Sequence, residues 1–210
     1  MSSEEHWNTV YERRPSVKLG WYEPKPSTLG LVIAQSAPGD SVIDVGGGDS
    51  HLVDALLERR YGDVTVLDLS PVALERARGR LGTRGQAVEW IHADVTAFAP
   101  EQTWHLWHDR AVFHFLTTTE QRHAYREVAS RAIAPGGRLI VATFSSEGPE
   151  QCAGLPVCRY DVDSLPAAFA PEFELITVGP LVADPSGEGD QRPYIGAVLT
   201  PVNRTSPRQN

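Results

Sequence analysis

The sequence lacks any apolar run near the roughly 18 residues that a membrane-crossing helix needs, so no membrane partner is expected. Its opening, MSSEEHWNTV, is acidic and polar where a signal peptide would be basic and then apolar, which predicts a cytoplasmic protein. Cysteine is scarce. Cys152 and Cys158 are the whole complement, too few for a disulfide framework, and a lone C-x5-C spacing is no zinc pattern. Positive charge is also short: 19 Lys and Arg against 27 Asp and Glu leave a net charge of −8, which repels phosphate backbones and predicts no nucleic-acid partner. Repeats and low-complexity tracts are missing, and the 18 glycines and 16 prolines are scattered, as tight turns between elements require. With 210 residues, 41% of them hydrophobic, the chain suits one globular domain with its own core. That domain is expected over residues 1–203, as an N-terminal helical lid (1–38) and a sheet core (39–203), followed by a disordered tail at 204–210.

What is present is an alternation of short β-rich runs with helical stretches, the pattern of an α/β domain around a mostly parallel sheet. SVIDVG, DVTVLDLS, AVEWIHADV, WHLWHDRAVF and GGRLIVATF read as strands one to five. Between them, HLVDALLERRYG sets Leu52, Leu56 and Leu57 on one helix face with Gly62 as the stop, and Ser70-Pro71 opens a helix over PVALERARGRLG. TTTEQRHAYREVASRAIA begins on a threonine cap. Further on, DVDSLPAAFA predicts a short helix, FELITVG a sixth strand, residues 183–193 a loop and RPYIGAVLT a seventh strand. Ahead of strand one, EEHWNTVYERR and PSTLGLVIAQS predict two helices, joined by a segment rich in proline and aromatics, across one end of the sheet.

VIDVGGGDS, residues 42–50, ends strand one on a carboxylate followed by three glycines. In sheets of this kind ligands bind beyond the carboxyl ends of the strands, near the point where strand order reverses. Glycine there permits positive φ and lets backbone N–H groups approach a ligand, because no Cβ intervenes; a tight strand-to-helix turn uses glycine for the same freedom. Asp68 closes strand two, 68 − 44 = 24 residues after Asp44, where an acid can accept both hydroxyls of a ribose. Asp94 closes strand three, placed to reach an adenine amino group. Each acid alone also suits a helix cap or a solvated turn, but three of them end successive strands. A dinucleotide fingerprint needs glycine at its first, third and sixth positions, and counting from Gly46 the sixth is His51.

The succession VIDVGGGDS, VTVLDLS, IHADV and APGGRLIVATF resembles the class I S-adenosylmethionine-dependent methyltransferase superfamily over most of the chain. The resemblance implies a Rossmann-like seven-stranded sheet in the order 3-2-1-4-5-7-6, strand seven antiparallel, with helices on both faces. It also implies S-adenosylmethionine as cofactor. Asp44, Gly46, Gly47 and Gly48 would line its methionine and sugar part, Asp68 with Leu69 would hold the ribose, and Asp94 with Val95 would flank the adenine. The chain departs from the family at Ser50, where the last glycine of G-x-G-x-G is common, and at His105, where the fourth motif often carries an acid. HWNTVYERR and VKLGWYEPKPS resemble the front of a subgroup that includes small-molecule thiol methyltransferases and protein-lysine methyltransferases. In that subgroup the aromatic segment folds over the cofactor, which makes Trp7, Tyr11, Trp21 and Tyr22 lid candidates, Trp21 toward the cofactor and Tyr11 and Tyr22 toward the substrate. An aromatic face attracts a sulfonium cation whatever the kinship, and the same rings would also staple the lid helices to the sheet.

Methyl transfer from a sulfonium is an in-line displacement, which needs a nucleophile held roughly 3 Å from the methyl carbon and water kept out. Candidate bases cluster where strand four ends: His105, His108, Asp109 and Arg110. Alternation puts His105 and Asp109 on one face and His108 on the other, which argues against a metal site and leaves His108 and Asp109 as base or substrate orienter. A buried, hydrogen-bonded histidine is the other reading of His108. His114 packs or caps at the start of the next helix. The long loop after strand five, SSEGPEQCAGLPVCRYD, offers Arg159 and Tyr160 to a substrate, whereas Cys152 has little near it in sequence to lower a thiol pKa. The expected function is methyl transfer to an N, O or S nucleophile of a small molecule. The alternatives are protein-lysine methylation, a nucleotide-binding oxidoreductase, and a cofactor-binding regulator without turnover. No spacing specifies the acceptor or the oligomeric state.

Overall fold

A computed structural model describes residues 2–182 and 188–202. The expected tail at 204–210 and residues 183–187 of the expected 183–193 loop lie outside the described residues. Seven strands, β1 (Val42–Val45), β2 (Val64–Asp68), β3 (Val88–His92), β4 (Trp104–Arg110), β5 (Ile133–Phe144), β6 (Phe173–Leu181) and β7 (Tyr194–Pro201), form one sheet. Their order is β3-β2-β1-β4-β5-β7-β6. Strands β1 to β5 are parallel, and β7 runs antiparallel to both β5 and β6, as the family resemblance implies. Strand order reverses between β1 and β4, which opens a crevice at their carboxyl ends.

Helices α1 (Ser3–Arg13), α2 (Leu29–Gln35), α3 (Leu52–Glu58), α4 (Pro71–Leu81), α5 (Thr119–Ala132) and α6 (Ser164–Ala167) complete the order. Both faces of the central strands are covered, which is why β1 and β2 are buried at every position. Val42, Val64, Val66, Leu106 and Ile140 pack with Val32 of α2, Leu52 and Leu56 of α3 and Leu74 of α4. The alternate residues Ile43, Val45, Leu67, Trp107, Leu139 and Val141 pack with Tyr125 and Val128 of α5 and Leu165 of α6. Helix starts follow local chemistry: a Ser2–Glu5 capping box opens α1, Ser70 with Pro71 opens α4, and a Thr118–Gln121 box opens α5.

Four boundaries differ from the sequence reading, each for a backbone reason. Helix α3 stops short of Gly62 because Arg60 takes φ +65°, and the N–H groups of Arg60 and Tyr61 bond back to Leu57 and Leu56 in a Schellman closure. Strand β4 ends at Arg110 because Ala111, at φ +69°, breaks the ladder before a 3-10 turn at Phe113–Phe115. Strand β5 begins at Ile133, directly after α5. Asp94 lies two residues past the end of β3, on the loop that follows. Among the described residues no helix is long and apolar enough to cross a membrane.

Candidate functional site

The glycine turn is tied to its neighbour strand: the N–H groups of Gly46 and Gly47 both donate to the Leu67 carbonyl, at 2.7 and 3.3 Å. Gly46 sits at φ +63°, and a Cβ there would run into the Val112 side chain. At Gly48, φ +50°, a Cβ would stand 2.6 Å from the Tyr11 hydroxyl, so this backbone presses against the lid. Ser50 needs no such freedom. Its hydroxyl accepts from the Leu52 N–H at 3.0 Å, so where the family's last glycine is common a serine closes a side-chain turn just ahead of α3. Arg80 of α4 holds the turn from outside through Asp49, the Ser50 carbonyl and Asp54.

A cavity of about 380 Å³ follows the carboxyl edge of the sheet from β3 to β5. Of the residues singled out from sequence, Asp44, Gly46, Gly47, Asp68, Leu69, Asp94, Val95, Tyr11, Trp21, Tyr22 and His108 line it. Gly48, Asp109 and Arg159 do not: Gly48 donates its N–H to Asp68 from behind, and Arg159 pairs with Glu150 at 2.8 Å.

Asp44 and His108 face each other across the β1–β4 register, and Asp44 Oδ1 accepts from His108 Nδ1 at 2.7 Å. The other ring nitrogen, Nε2, is 2.8 Å from Thr28 Oγ1. Thr28 stands at the N-cap of α2 yet makes no cap bond, because its hydroxyl is spent on the histidine. Both nitrogens of His108 are therefore engaged, and the residue has none left for a substrate proton. Asp44 Oδ2, by contrast, is buried without a partner. Asp68 accepts from the Ser70 N–H at 2.7 Å; burial and the charge of Asp44 push its carboxyl up to about 7 against the bonds from Ser70 and Gly48.

Asp109 lies on the opposite sheet face. Its carboxylate accepts from the Val112 and Phe113 N–H groups at 2.9 and 3.1 Å and from the Tyr125 hydroxyl at 2.7 Å, pinning the strained turn after β4. Burial raises it to about 6, held there by those bonds. His114, also fully buried, packs against Phe115 and Phe144; burial and the nearby charges of Arg192 and Arg110 lower it to about 3. The sequence reading left His108 and Asp109 as base or substrate orienter, with a buried, hydrogen-bonded histidine as the other reading of His108. In the structure one orients Asp44 and the other stabilises a turn. Among the described residues no group of three or more His, Cys, Asp or Glu is arranged to hold a metal.

The N-terminal rings close over the cavity edge to face: Trp7 meets Trp21 at 5.7 Å and Phe115 at 5.0 Å, and Tyr11 meets Trp21 at 6.2 Å. An ion cluster that sequence reasoning missed locks this lid. Arg110 binds the Trp21 carbonyl, Glu23 at 2.9 Å and Asp190 at 3.0 Å, and lies over the Tyr194 ring. Arg192 joins Asp190 to the Gly20 carbonyl. No local signal announces pairs separated by 80 to 172 residues.

The orphaned Asp44 oxygen, the Cβ-free turn beneath Gly46 and Gly47, and the poorly stabilised Asp68 carboxylate suit a ligand that brings hydrogen-bond donors along the β1–β3 edge, as an adenosyl amino acid does. Residues 42–137 match the family described as "Methyltransferase domain". The chain is 24% identical over 139 residues to the eEF1A lysine and N-terminal methyltransferase of Mus musculus, covering 66% of this chain but only 20% of that protein. It is thus similar to about a fifth of such relatives. It is 32% identical over 133 residues to the 2-heptyl-1-hydroxyquinolin-4(1H)-one methyltransferase of Mycobacteroides abscessus, covering 62% of this chain and 56% of that protein. Among solved structures, the glycopeptide N-methyltransferase MtfA complexed with S-adenosyl-L-methionine superimposes with a TM-score of 0.65 at 16% identity, over 84% of this chain and 93% of that one, a likeness of fold. The family match spans just under half of the chain, and the strand order is the one that the class I S-adenosylmethionine-dependent methyltransferase resemblance implies.

Proposed function

We propose that the protein transfers a methyl group from S-adenosylmethionine to an N, O or S nucleophile of a small molecule. The observation that carries this reading is the pair of buried carboxylates, Asp44 and Asp68, that close adjacent parallel strands on one cavity with the glycine turn between them. S-adenosylmethionine, when bound, supplies an electrophilic methyl group on a cationic sulfur. Asp68 is suited to the ribose hydroxyls, and Asp44 Oδ2 to a donor on the methionine part. Asp94 and Val95 bound the cavity at its far end, where adenine would lie. Trp7, Tyr11 and Trp21 exclude water and offer ring faces to a cation. A small-molecule acceptor draws support from the 32% likeness to the quinolone methyltransferase. A protein amine is the second reading, favoured by the likeness to the eEF1A methyltransferases.

The test is calorimetric titration with S-adenosylhomocysteine. Submicromolar to micromolar binding is expected, with none to nicotinamide dinucleotides. Asp68→Ala should weaken it by about 10- to 100-fold, the value of one or two bonds to a charged acceptor. Unchanged affinity in that variant would remove Asp68 from the ribose site.

A further inference from the structure

We infer that the acceptor is an apolar molecule that reacts through a weakly acidic hydroxyl or thiol of its own, ionised without help from a protein base. This rests on the methyltransferase reading above and names its acceptor class.

The cavity spans a chemical boundary set by sheet order. Its β1–β3 half carries the carboxylates Asp44, Asp68 and Asp94, whereas its β4–β5 half is walled by Trp7, Trp21, Ala111, Phe115, Cys152 and Leu155 together with the hydrogen-bonded Glu23, His108 and Arg110. The first half suits the adenosyl ligand, so the second is left to the acceptor. Among the described residues the titratable groups that line this second half are engaged or protonated, and the two histidines with an unpartnered ring nitrogen, His6 beside Trp7 and His114 beside Phe115, stand outside its lining. His108 has both nitrogens bonded, to Asp44 and Thr28. Glu23 gives one oxygen to Arg110 and the other to Ser27. Asp190 is held by Arg110, Arg192 and Tyr194. Asp109 is sealed beneath the turn, and His114 lies behind Phe115, outside the cavity wall. Burial raises the Cys152 thiol in spite of the Arg192 contact at 3.4 Å, which keeps it protonated. On the other half His51, lowered by burial and by Arg80, faces Tyr22.

A lysine side chain, with an ordinary pKa of about 10.4, would reach this wall as an ammonium and find rings that favour the cation but nothing to take its proton. A thiol near pKa 8.5 or an aromatic hydroxyl near 10 supplies its own anionic fraction at neutral pH. Its proton leaves to solvent. The lone pair of its oxygen or sulfur then forms the bond to the methyl carbon as the carbon–sulfonium bond breaks, and that electron pair stays on the sulfur as a neutral thioether. An anion and a cation become two neutral molecules, and a low-dielectric pocket favours charge annihilation more than water does.

The experiment uses the full chain with S-adenosylmethionine and a series of ring-substituted thiophenols and naphthols of graded acidity, beside lysine peptides, with methylated product read by mass spectrometry. The expected result is a rate that rises with pH to a plateau, its midpoint tracking the pKa of each acceptor, and no product from lysine. Phe115→Ala and Leu155→Ala should raise KM for the aryl acceptors about tenfold while S-adenosylhomocysteine still binds. A midpoint that stays fixed across the series reveals a protein base and overturns the inference. So does turnover of lysine peptides ahead of every aryl acceptor, or binding of S-adenosylhomocysteine with no aryl acceptor methylated. Failure of S-adenosylhomocysteine to bind at all is a separate result, and overturns the methyltransferase reading itself.

Discussion

In the proposed reading Asp68 is buried in the ligand-free protein and charged when it meets a ribose. Its carboxyl stands at about 7 against an ordinary 3.8, so the folded chain holds this proton more tightly than the unfolded chain. The stability it contributes is therefore full below about pH 4 and is lost as pH climbs through 7. Asp68→Asn keeps an oxygen for the Ser70 N–H and discards the charge. Urea melts of the ligand-free protein at pH 8 should show the variant more stable than wild type by about 1–3 kcal/mol, with no difference near pH 4. Wild-type affinity for S-adenosylhomocysteine should rise between pH 6 and 8 as the carboxylate forms, and the variant's should stay flat. Two glycines separate steric from conformational cost at the same scale. Gly46 and Gly82 both hold positive φ, but a methyl at Gly82 meets open space and one at Gly46 meets Val112. Gly82→Ala should cost about 1 kcal/mol and Gly46→Ala at least about 3 kcal/mol in the same melts.

Between elements, the decisive contact is the one that joins the lid to the end of β4. Arg110 is nearly buried and neutralises Glu23 from the lid and Asp190 from the segment before β7. Replacing it by methionine would leave Glu23 without its cation in a dry site and Asp190 with Arg192 alone, a loss of about 3–5 kcal/mol. Hydrogen exchange should then show early labelling of residues 15–28 while β1 and β2 stay protected, because the sheet core packs independently of the clasp. Uniform labelling of sheet and lid would show instead that the clasp belongs to the global fold. A second tie, from Thr28 through His108 to Asp44, connects the start of α2 with the carboxylate at the end of β1. The start of α2 and the carboxylate of β1 are thus tied by one hydrogen-bonded line.

For the molecule as a whole, ligand binding is a stability term. S-adenosylhomocysteine at a hundredfold excess over its dissociation constant should add about 2.7 kcal/mol, or roughly 5–10 °C in Tm for a chain of this size. A thermal scan with nicotinamide dinucleotide in parallel should show no shift. Much of this architecture was legible in the order of residues. Strand and helix periods, the caps at Ser70 and Thr118, and acids that end strands beside a run of glycines are local properties, since φ preference and side-chain alternation act over a few residues. From these came the residues of the β1–β3 wall, whereas the sheet order came only from the family resemblance. The roles of His108 and Asp109 were not legible, although their opposite faces were. One depends on a threonine 80 positions away, the other on a tyrosine reached only after α5 packs on the sheet. Sequence alone determined which backbone could bend, which strands could be buried, and where carboxylates would meet the sheet edge. Tertiary structure decided which of those charges are neutralised and which polar atoms remain without a partner, because a hydrogen bond depends on distance in space, and packing brings together groups that the chain keeps far apart.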